Sequence, residues 1–214
     1  MKKIGVFDSG IGGLSVAHAI ERAFPADKVI FISDRDHVPY GDKPPEEVLG
    51  YVIPLLEQLV GAGCDAIVIA CNTVTTNHIV ALRERISVPL VGIEPMVKPA
   101  ALATKSGIIA VCATPATLHS ERYAYLKQTY AANLTVLEPD CSQWAYMIEH
   151  NQVNENQLAA QINGLCGQGA DVIVLGCTHY HWIEETLRAI AQERAVVIQP
   201  EQPVINRIKA LLAQ

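Results

Sequence analysis

Short apolar runs alternate with longer amphipathic segments along the whole chain. The runs are rich in β-branched residues and mostly five or six residues long, as in "VIFISD", "AIVIA" and "VIVLG". Segments with helical spacing, such as "LSVAHAIERAF" and "TLHSERYAYLKQTY", lie between them. Because continuous apolar strands separated by helices are typical of parallel sheets covered on both faces, the pattern predicts an α/β fold.

One motif occurs twice. "DAIVIACNT" begins at Asp65 and "DVIVLGCTH" at Asp171, and each is an aspartate, an apolar run, a cysteine and small polar residues. Cys71 and Cys177 are 106 residues apart (177 − 71), close to half of the 214-residue chain. Ligands of open α/β sheets bind beyond the carboxyl ends of strands. We therefore predict two pseudo-symmetric parallel-sheet α/β domains with the active site in the cleft between them. The alternative is a pair of buried structural cysteines, which the polar residues after each one disfavour.

Composition and charge narrow the class of protein. Hydrophobic residues make up 50% of the chain and charged residues 18%, as in ordered globular proteins. The net charge of −6 argues against nucleic acid as a partner, and no apolar run is long enough to cross a membrane. The N-terminal segment lacks the apolar stretch of a secretion signal. We expect a cytoplasmic protein whose six cysteines stay reduced.

The first half carries a glycine-rich turn, "FDSGIGGLS", between its first strand and first helix. Such a turn offers backbone N–H groups to an anion such as a carboxylate, although the third glycine of the dinucleotide fingerprint is missing. We interpret Asp8 in this turn as a proton-handling group, with a helix cap as the alternative. In "HVPYGDKP", Pro39 and Gly41 predict a turn that places Tyr40 to donate a hydrogen bond to a ligand.

The second half carries "CTHYHW" after its cysteine-bearing strand. Zinc is disfavoured because this spacing matches no common structural zinc pattern. We interpret His179 as the base that accepts or orients the proton of Cys177. Thr114 and Thr117 open a helix and suit a carboxylate, while simple capping by Thr114 stays open. His78 and His119 are expected to be helix-surface or capping residues, and Cys64, Cys112, Cys141 and Cys166 are expected to be small core residues.

Two thiols that face each other across a substrate can invert the configuration of a carbon atom. One thiolate can remove a proton from carbon while the opposite thiol returns a proton to the other face. Such a site must exclude water and hold the substrate carboxylate on preorganised donors. The donors expected to do so are Ser9, Tyr40, Asn72, Thr73, Thr114, Thr117 and Thr178.

Stretches such as "GVFDSGIGGLSV", "IVIACNTVT", "VGIEPMVKPA" and "IVLGCTHY" resemble the glutamate racemases of the cofactor-independent aspartate/glutamate racemase superfamily. The resemblance covers nearly the whole chain. It implies that Cys71 and Cys177 are catalytic, that Asp8 assists Cys71, and that His179 and Glu149 support Cys177. The implied substrate contacts are Ser9, Pro39, Tyr40, Gly41, Asn72, Thr73, Thr114, Thr117 and Thr178.

The resemblance also implies an isomerase that makes D-glutamate from L-glutamate for bacterial peptidoglycan, and hence for cell-wall biogenesis and cell shape. Its small-molecule substrate is glutamate, and it needs no cofactor: no pyridoxal phosphate, metal or nucleotide. Neither nucleic acid nor a membrane is required, and a homodimer is left open. In this family the C-terminal helix returns to the first half. The implied domains are residues 1–97 plus 200–214, with Cys71, and residues 98–199, with Cys177.

The chain departs from the family pattern at a few places. His181 and Ser142 stand where proline is common, and the ending "VVIQPEQPV" lacks the usual Asp-Ser-Gly. Two other functions stay open. One is a racemase of the same superfamily acting on aspartate or on several amino acids. The other is a non-catalytic, two-lobed small-molecule binding protein, which would have no need for paired thiols.

Overall fold

The structure, a computed structural model, describes residues 1–38, 40 and 43–213. The strands are β1 (Lys3–Asp8), β2 (Lys28–Ser33), β3 (Ala66–Ile69), β4 (Leu90–Gly92), β5 (Ile108–Ala113), β6 (Thr135–Leu137), β7 (Val172–Gly176) and β8 (Val196–Ile198). The helices are α1 (Gly13–Ala23), α2 (Pro45–Gly61), α3 (Asn72–Arg85), α4 (Val97–Ala103), α5 (Pro115–Leu118), α6 (Glu121–Tyr130), α7 (Trp144–Glu149), α8 (Glu155–Gly167), α9 (Glu184–Ala191) and α10 (Glu201–Leu212). Short 3-10 segments span Thr178–Ile183 and Gln192–Arg194.

The strands form two four-stranded parallel sheets, in the orders β2-β1-β3-β4 and β6-β5-β7-β8. Both sheets therefore have the same topology. In each, the strand that precedes a predicted catalytic cysteine, β3 or β7, lies between two others and is buried along its whole length. The predicted α/β fold with two parallel sheets is confirmed.

The chain divides into two compact units, Met1–Glu94 with the segment from Pro200 onward, and Pro95–Gln199. In the first unit, Ile67 and Ile69 of β3 pack towards α2 and α3, whereas Val68 packs towards α1 and α10. In the second unit, alternate residues of β7 likewise face α7, α8 and α9 on one side and α4 and α6 on the other. Successive side chains of a strand point to opposite faces, so each sheet is covered by helices on both sides.

The aspartate that opens each copy of the repeated motif has a structural role. Asp65 accepts a hydrogen bond from the backbone N–H of Lys3 at 2.7 Å. Asp171 accepts from the backbone N–H groups of Lys105 and Ser106 at 2.6 and 2.8 Å. Each aspartate thus ties the start of the cysteine-bearing strand to the chain that leads into the neighbouring strand, β1 or β5.

Helix α10 completes the core of the first unit. Val204 and Ile208 lie in the same buried cluster as Val16 and Ile20 of α1 and Val68 of β3. Among the described residues, no helix is both long and apolar enough to cross a membrane.

Two expectations about helices are wrong in detail. The segment "TLHSERYAYLKQTY" reads as one helix but forms α5 and α6, because the Ser120 side chain caps the second by accepting from the backbone N–H of Tyr123 at 3.1 Å. His78, expected at a helix surface or cap, is buried on α3. Since Asn72, Thr73, Thr75 and Thr76 of α3 are also buried, polar residues there do not mark a solvent-facing side.

Candidate active site

Each sheet presents a buried cysteine within two residues of the carboxyl end of an interior strand. Cys71 follows β3 and precedes α3, and it is 5% exposed. Cys177 follows β7 and precedes the 3-10 segment, and it is 7% exposed. Both are free thiols. The same strand-end geometry therefore recurs in the two units.

The Cys71 thiol lies in a site that favours its protonated form. Its pKa is raised to about 12, first by burial and then by the negative charge of Asp8. Hydrogen bonds from Ser9 and from the backbone N–H groups of Val74 and Thr73 act in the opposite direction. The Ser9 Oγ to Cys71 Sγ distance is 3.4 Å. These groups are the contacts that stabilise a thiolate here, against burial and the charge of Asp8.

Asp8 is held by the glycine-rich turn. It is fully buried at the end of β1, and its Oδ2 accepts a hydrogen bond from the backbone N–H of Gly13 at 2.6 Å. A Cβ atom at Gly13 would lie only 2.5 Å from the Asp8 Cβ, so only glycine permits this approach. Asp8 therefore bonds the first turn of α1, as a cap does, and also influences Cys71. The two interpretations are compatible.

The Asn72 side chain is a buried amide that lacks a hydrogen-bond partner within the described part of the chain. The residue is 2% exposed, and neither Oδ1 nor Nδ2 has a hydrogen-bond partner among the residues that the structure describes. An unsatisfied buried polar group costs about 1–3 kcal/mol, so such groups need an explanation. A bound ligand that supplies the missing partners is one, and Asn72 directly follows Cys71.

Tyr40 has a protein partner that the sequence did not indicate. Its hydroxyl donates to Asp34 Oδ2 at 2.5 Å, and His37 Nδ1 lies 2.7 Å from Asp34 Oδ1. Burial, followed by the Asp34 carboxylate, raises the pKa of Tyr40 well above its usual value, so Tyr40 stays a hydrogen-bond donor. The position of Asp34 directly after β2 is the sequence feature that could have indicated it as a candidate site residue. Pro39 and Gly41 lie outside the described residues.

A thiol, an imidazole and a carboxylate form a chain in the second unit. His179 Nδ1 lies 3.9 Å from Cys177 Sγ, and His179 Nε2 lies 2.7 Å from Glu149 Oε2. His179 is 4% exposed, and the Glu149 side chain is 14% exposed. A carboxylate that accepts from Nε2–H leaves Nδ1 as the atom that faces the thiol. Glu149 ends α7, so this short helix positions the carboxylate.

His181 is a second buried imidazole, close to the series formed by Cys177, His179 and Glu149. Burial, followed by the neighbouring His179, lowers its pKa to about 4, so His181 is neutral at physiological pH. Thr178 is also buried, at 2% exposure. Within the described part of the chain, no group of three or more His, Cys, Asp or Glu side chains could hold a metal ion.

The threonines after β5 make local hydrogen bonds. Thr114 caps α5, since its Oγ1 accepts from the backbone N–H of Thr117 at 3.3 Å. The Thr114 hydroxyl also donates to the Thr117 hydroxyl at 3.0 Å. Capping by Thr114 is therefore observed, and contact of either hydroxyl with a substrate stays a prediction.

Comparison with known proteins places this geometry in a family. Residues 4–214 match the Asp/Glu/hydantoin racemase family. The glutamate racemase of Ralstonia nicotianae is 39% identical over 214 residues, which cover 98% of this chain and 77% of that protein. Escherichia coli glutamate racemase, solved with L-glutamate and the activator UDP-MurNAc-Ala, has a TM-score of 0.86 and 27% identity over 100% of this chain and 83% of that one. Francisella tularensis glutamate racemase, solved with D-glutamate, has a TM-score of 0.81 and 28% identity over 99% and 81%. The resemblance noted in the sequence is thereby confirmed: the chain belongs to the Asp/Glu/hydantoin racemase family of isomerases.

Proposed function

We propose that this protein interconverts L- and D-glutamate without a cofactor, by proton transfer at Cα between Cys71 and Cys177. The observation that carries the proposal is the repeated strand-end thiol, which has its own acid or base in each unit. The choice of glutamate is supported by the relatives, since two similar racemases were solved with L-glutamate or D-glutamate bound.

In this mechanism the substrate activates Cys71. A thiol with a pKa of about 12 carries its proton in the empty site. The ammonium group of the amino acid, bound next to Asp8, offsets the repulsion between Asp8 and the thiolate. The thiolate then forms only as the complex forms, with its proton released to solvent, and Ser9 and the first N–H groups of α3 stabilise it. It removes the Cα proton from one face of the substrate.

Cys177 returns a proton to the opposite face. Its thiol loses a proton to the substrate carbanion, and His179 Nδ1 is the group positioned to supply or remove the thiol proton. Glu149 fixes the orientation of the imidazole through its contact with Nε2. In the reverse direction the two thiols exchange roles. After one inversion Cys71 holds the proton taken from Cα and Cys177 has lost one, so the starting state returns when Cys71 releases a proton to solvent and Cys177 regains one through His179.

The substrate carboxylates bind to preorganised donors. The unsatisfied Asn72 amide is the strongest candidate for such a contact. The other proposed contacts come from the resemblance and are Ser9, Pro39, Tyr40, Gly41, Thr73, Thr114, Thr117 and Thr178. We further propose that the D-glutamate supplies peptidoglycan synthesis, and that the enzyme works in the cytoplasm, where both thiols stay reduced.

Solvent-deuterium exchange tests the proposal. Each enantiomer of glutamate is incubated with the protein in D2O, and loss of the Cα proton is followed by NMR while inversion is followed by circular dichroism. We expect both enantiomers to exchange and invert. Aspartate is run in parallel. Faster inversion of aspartate would change the proposed substrate, and no exchange with any amino acid would favour a binding protein.

Replacing either cysteine tests whether each thiol acts as the base for a different enantiomer. A serine hydroxyl is far less acidic than a thiol, so Cys71→Ser and Cys177→Ser should each abolish racemisation. Elimination from 3-chloroglutamate needs only one base and should survive in each variant for one enantiomer, with the enantiomer switching between the variants. If both variants process the same enantiomer, the two-thiol mechanism is wrong.

A further inference from the structure

Tyr180 joins the segment that carries His179 to the helix that carries Glu149. Tyr180 is fully buried in the 3-10 segment, and its hydroxyl donates to the backbone carbonyl of Cys141 at 2.8 Å. The same carbonyl accepts from the backbone N–H of Trp144, the first residue of α7, at 3.1 Å. The Tyr180 hydroxyl therefore bonds the turn from which α7 begins.

The aromatic rings strengthen this connection. Trp144 and Tyr180 meet edge to face, with ring centroids 5.0 Å apart and an interplanar angle of 66°. The indole N–H of Trp144 donates to Gln161 Oε1 at 3.2 Å, and Gln161 Nε2 donates to the carbonyl of Asp140 at 2.8 Å. The start of α7 is thus fixed to Tyr180 on one side and to α8 on the other.

These contacts close a ring around the catalytic imidazole. Tyr180 is covalently next to His179, and α7 runs from Trp144 to Glu149, whose carboxylate returns to His179 at 2.7 Å. A helix of six residues is only about 9 Å long, so a shift at its first residue carries to its last. The position of the Glu149 carboxylate therefore depends on the contact between Tyr180 and the Cys141 carbonyl.

We propose that Tyr180, with Trp144 and Gln161, is a positioning residue for the proton transfer at Cys177: it holds α7 so that Glu149 orients His179 towards the thiol. This inference rests on the proposed function. Because these contacts lie on the Cys177 side of the chemistry, changing them should affect proton transfer at Cys177 and leave proton transfer at Cys71 unchanged.

The test uses Tyr180→Phe, which removes one hydroxyl and keeps the ring. The Cys141 carbonyl retains its bond from Trp144, so we expect the variant to fold. Tyr123→Phe is the matched control, since Tyr123 is equally buried in the same unit and its hydroxyl donates to Glu138 at 2.8 Å, away from Cys177. Gln161→Ala, at a partly exposed position, is a second variant that releases α7 from α8.

Elimination from the two enantiomers of threo-3-chloroglutamate reports on each thiol as a base. The base takes the Cα proton, chloride leaves, and the resulting enamine hydrolyses to 2-oxoglutarate and ammonia, which a coupled dehydrogenase detects. Cys177→Ser identifies the enantiomer that depends on Cys177. For that enantiomer we expect Tyr180→Phe to slow elimination about tenfold, within the range reported for small misplacements of reacting groups. The other enantiomer should stay within about twofold, and Gln161→Ala should show the same asymmetry.

A merely destabilised protein would lose both eliminations equally, because fewer molecules are folded. Equal losses, or no loss, in Tyr180→Phe with an active wild type would overturn this inference alone. The same asymmetry in Tyr123→Phe would also overturn it. A wild-type protein that exchanges no Cα proton would overturn the proposed function, and this inference with it.

Discussion

Replacing Asp8 with asparagine should make Cys71 more reactive in the empty site and yet make the enzyme slower. Asparagine keeps an oxygen that can accept from the Gly13 N–H, so the turn should keep its shape while losing the charge. The pKa of Cys71 is about 12, so at pH 8 only about one thiol in ten thousand is ionised. Asp8 contributes to this elevation because its charge repels the thiolate.

The expected magnitude follows from that repulsion. If removing the charge stabilises the thiolate by about 1.4 kcal/mol, the ionised fraction and the alkylation rate rise about tenfold. Racemisation should fall by about a hundredfold or more, because the ammonium group of the substrate loses its anionic partner and an acid–base group is missing. Reactivity and turnover should therefore change in opposite directions.

Iodoacetamide labelling at pH 8 without substrate, followed by mass spectrometry of the Cys71 peptide, measures the first effect. Asp65→Asn is the control: it removes the same charge at the other end of β3, about 20 Å along the strand and beyond the range of screened charges in salt. Slower labelling of Cys71 in Asp8→Asn would refute the reasoning, since Asp8 would then activate the thiol before substrate binds.

Three other predictions concern stability and cofactors. Burial raises the pKa of Asp171, but hydrogen bonds from Thr104 and two backbone N–H groups lower it more. The stabilisation of the fold by the Asp171 carboxylate is therefore present above the ordinary Asp pKa of about 4 and is lost as pH falls through the lowered value. Urea unfolding should show Asp171→Asn less stable than wild type at pH 7, with the difference shrinking in acid; a constant difference would contradict this. Gly176→Ala would place a Cβ 2.8 Å from that of Ala113 and 3.2 Å from the Cys112 carbonyl oxygen. Thermal melts should therefore show that the free energy of unfolding falls by about 1–3 kcal/mol, and an unchanged melt would contradict this packing. Dialysis against EDTA should leave racemase activity unchanged, and activity that returns only with added metal would contradict this.

The fold could be predicted from sequence because its signals are local. Each buried parallel strand is a continuous apolar run, and the repeat around Cys71 and Cys177 indicated two similar halves. The break before α6 was missed because it depends on a single side-chain cap at Ser120 inside an otherwise helical pattern. The burial of His78 was missed because packing, not periodicity, decides which side of α3 is covered.

Candidate site residues were found where they are adjacent in sequence to a strand end. Asp8 is the last residue of β1 and His179 lies three residues beyond the end of β7, and the structure brings each close to its cysteine. Contacts between distant segments gave no signal. Tyr180 and Cys141 are 39 residues apart, and nothing in either stretch indicates the bond between them. Glu149 was assigned through family resemblance alone, for the same reason.

The return of α10 to the first unit has a consequence for protein synthesis. The ribosome delivers the strands of the first unit early, but its core lacks Val204 and Ile208 until the entire second unit has been translated. The second unit contains all of its own core within Pro95–Gln199, so it can finish folding first. Domains usually mature from the N-terminus during translation. Here the first unit is expected to complete its core last, because the part of the sheet face that α10 covers stays exposed until α10 has been made.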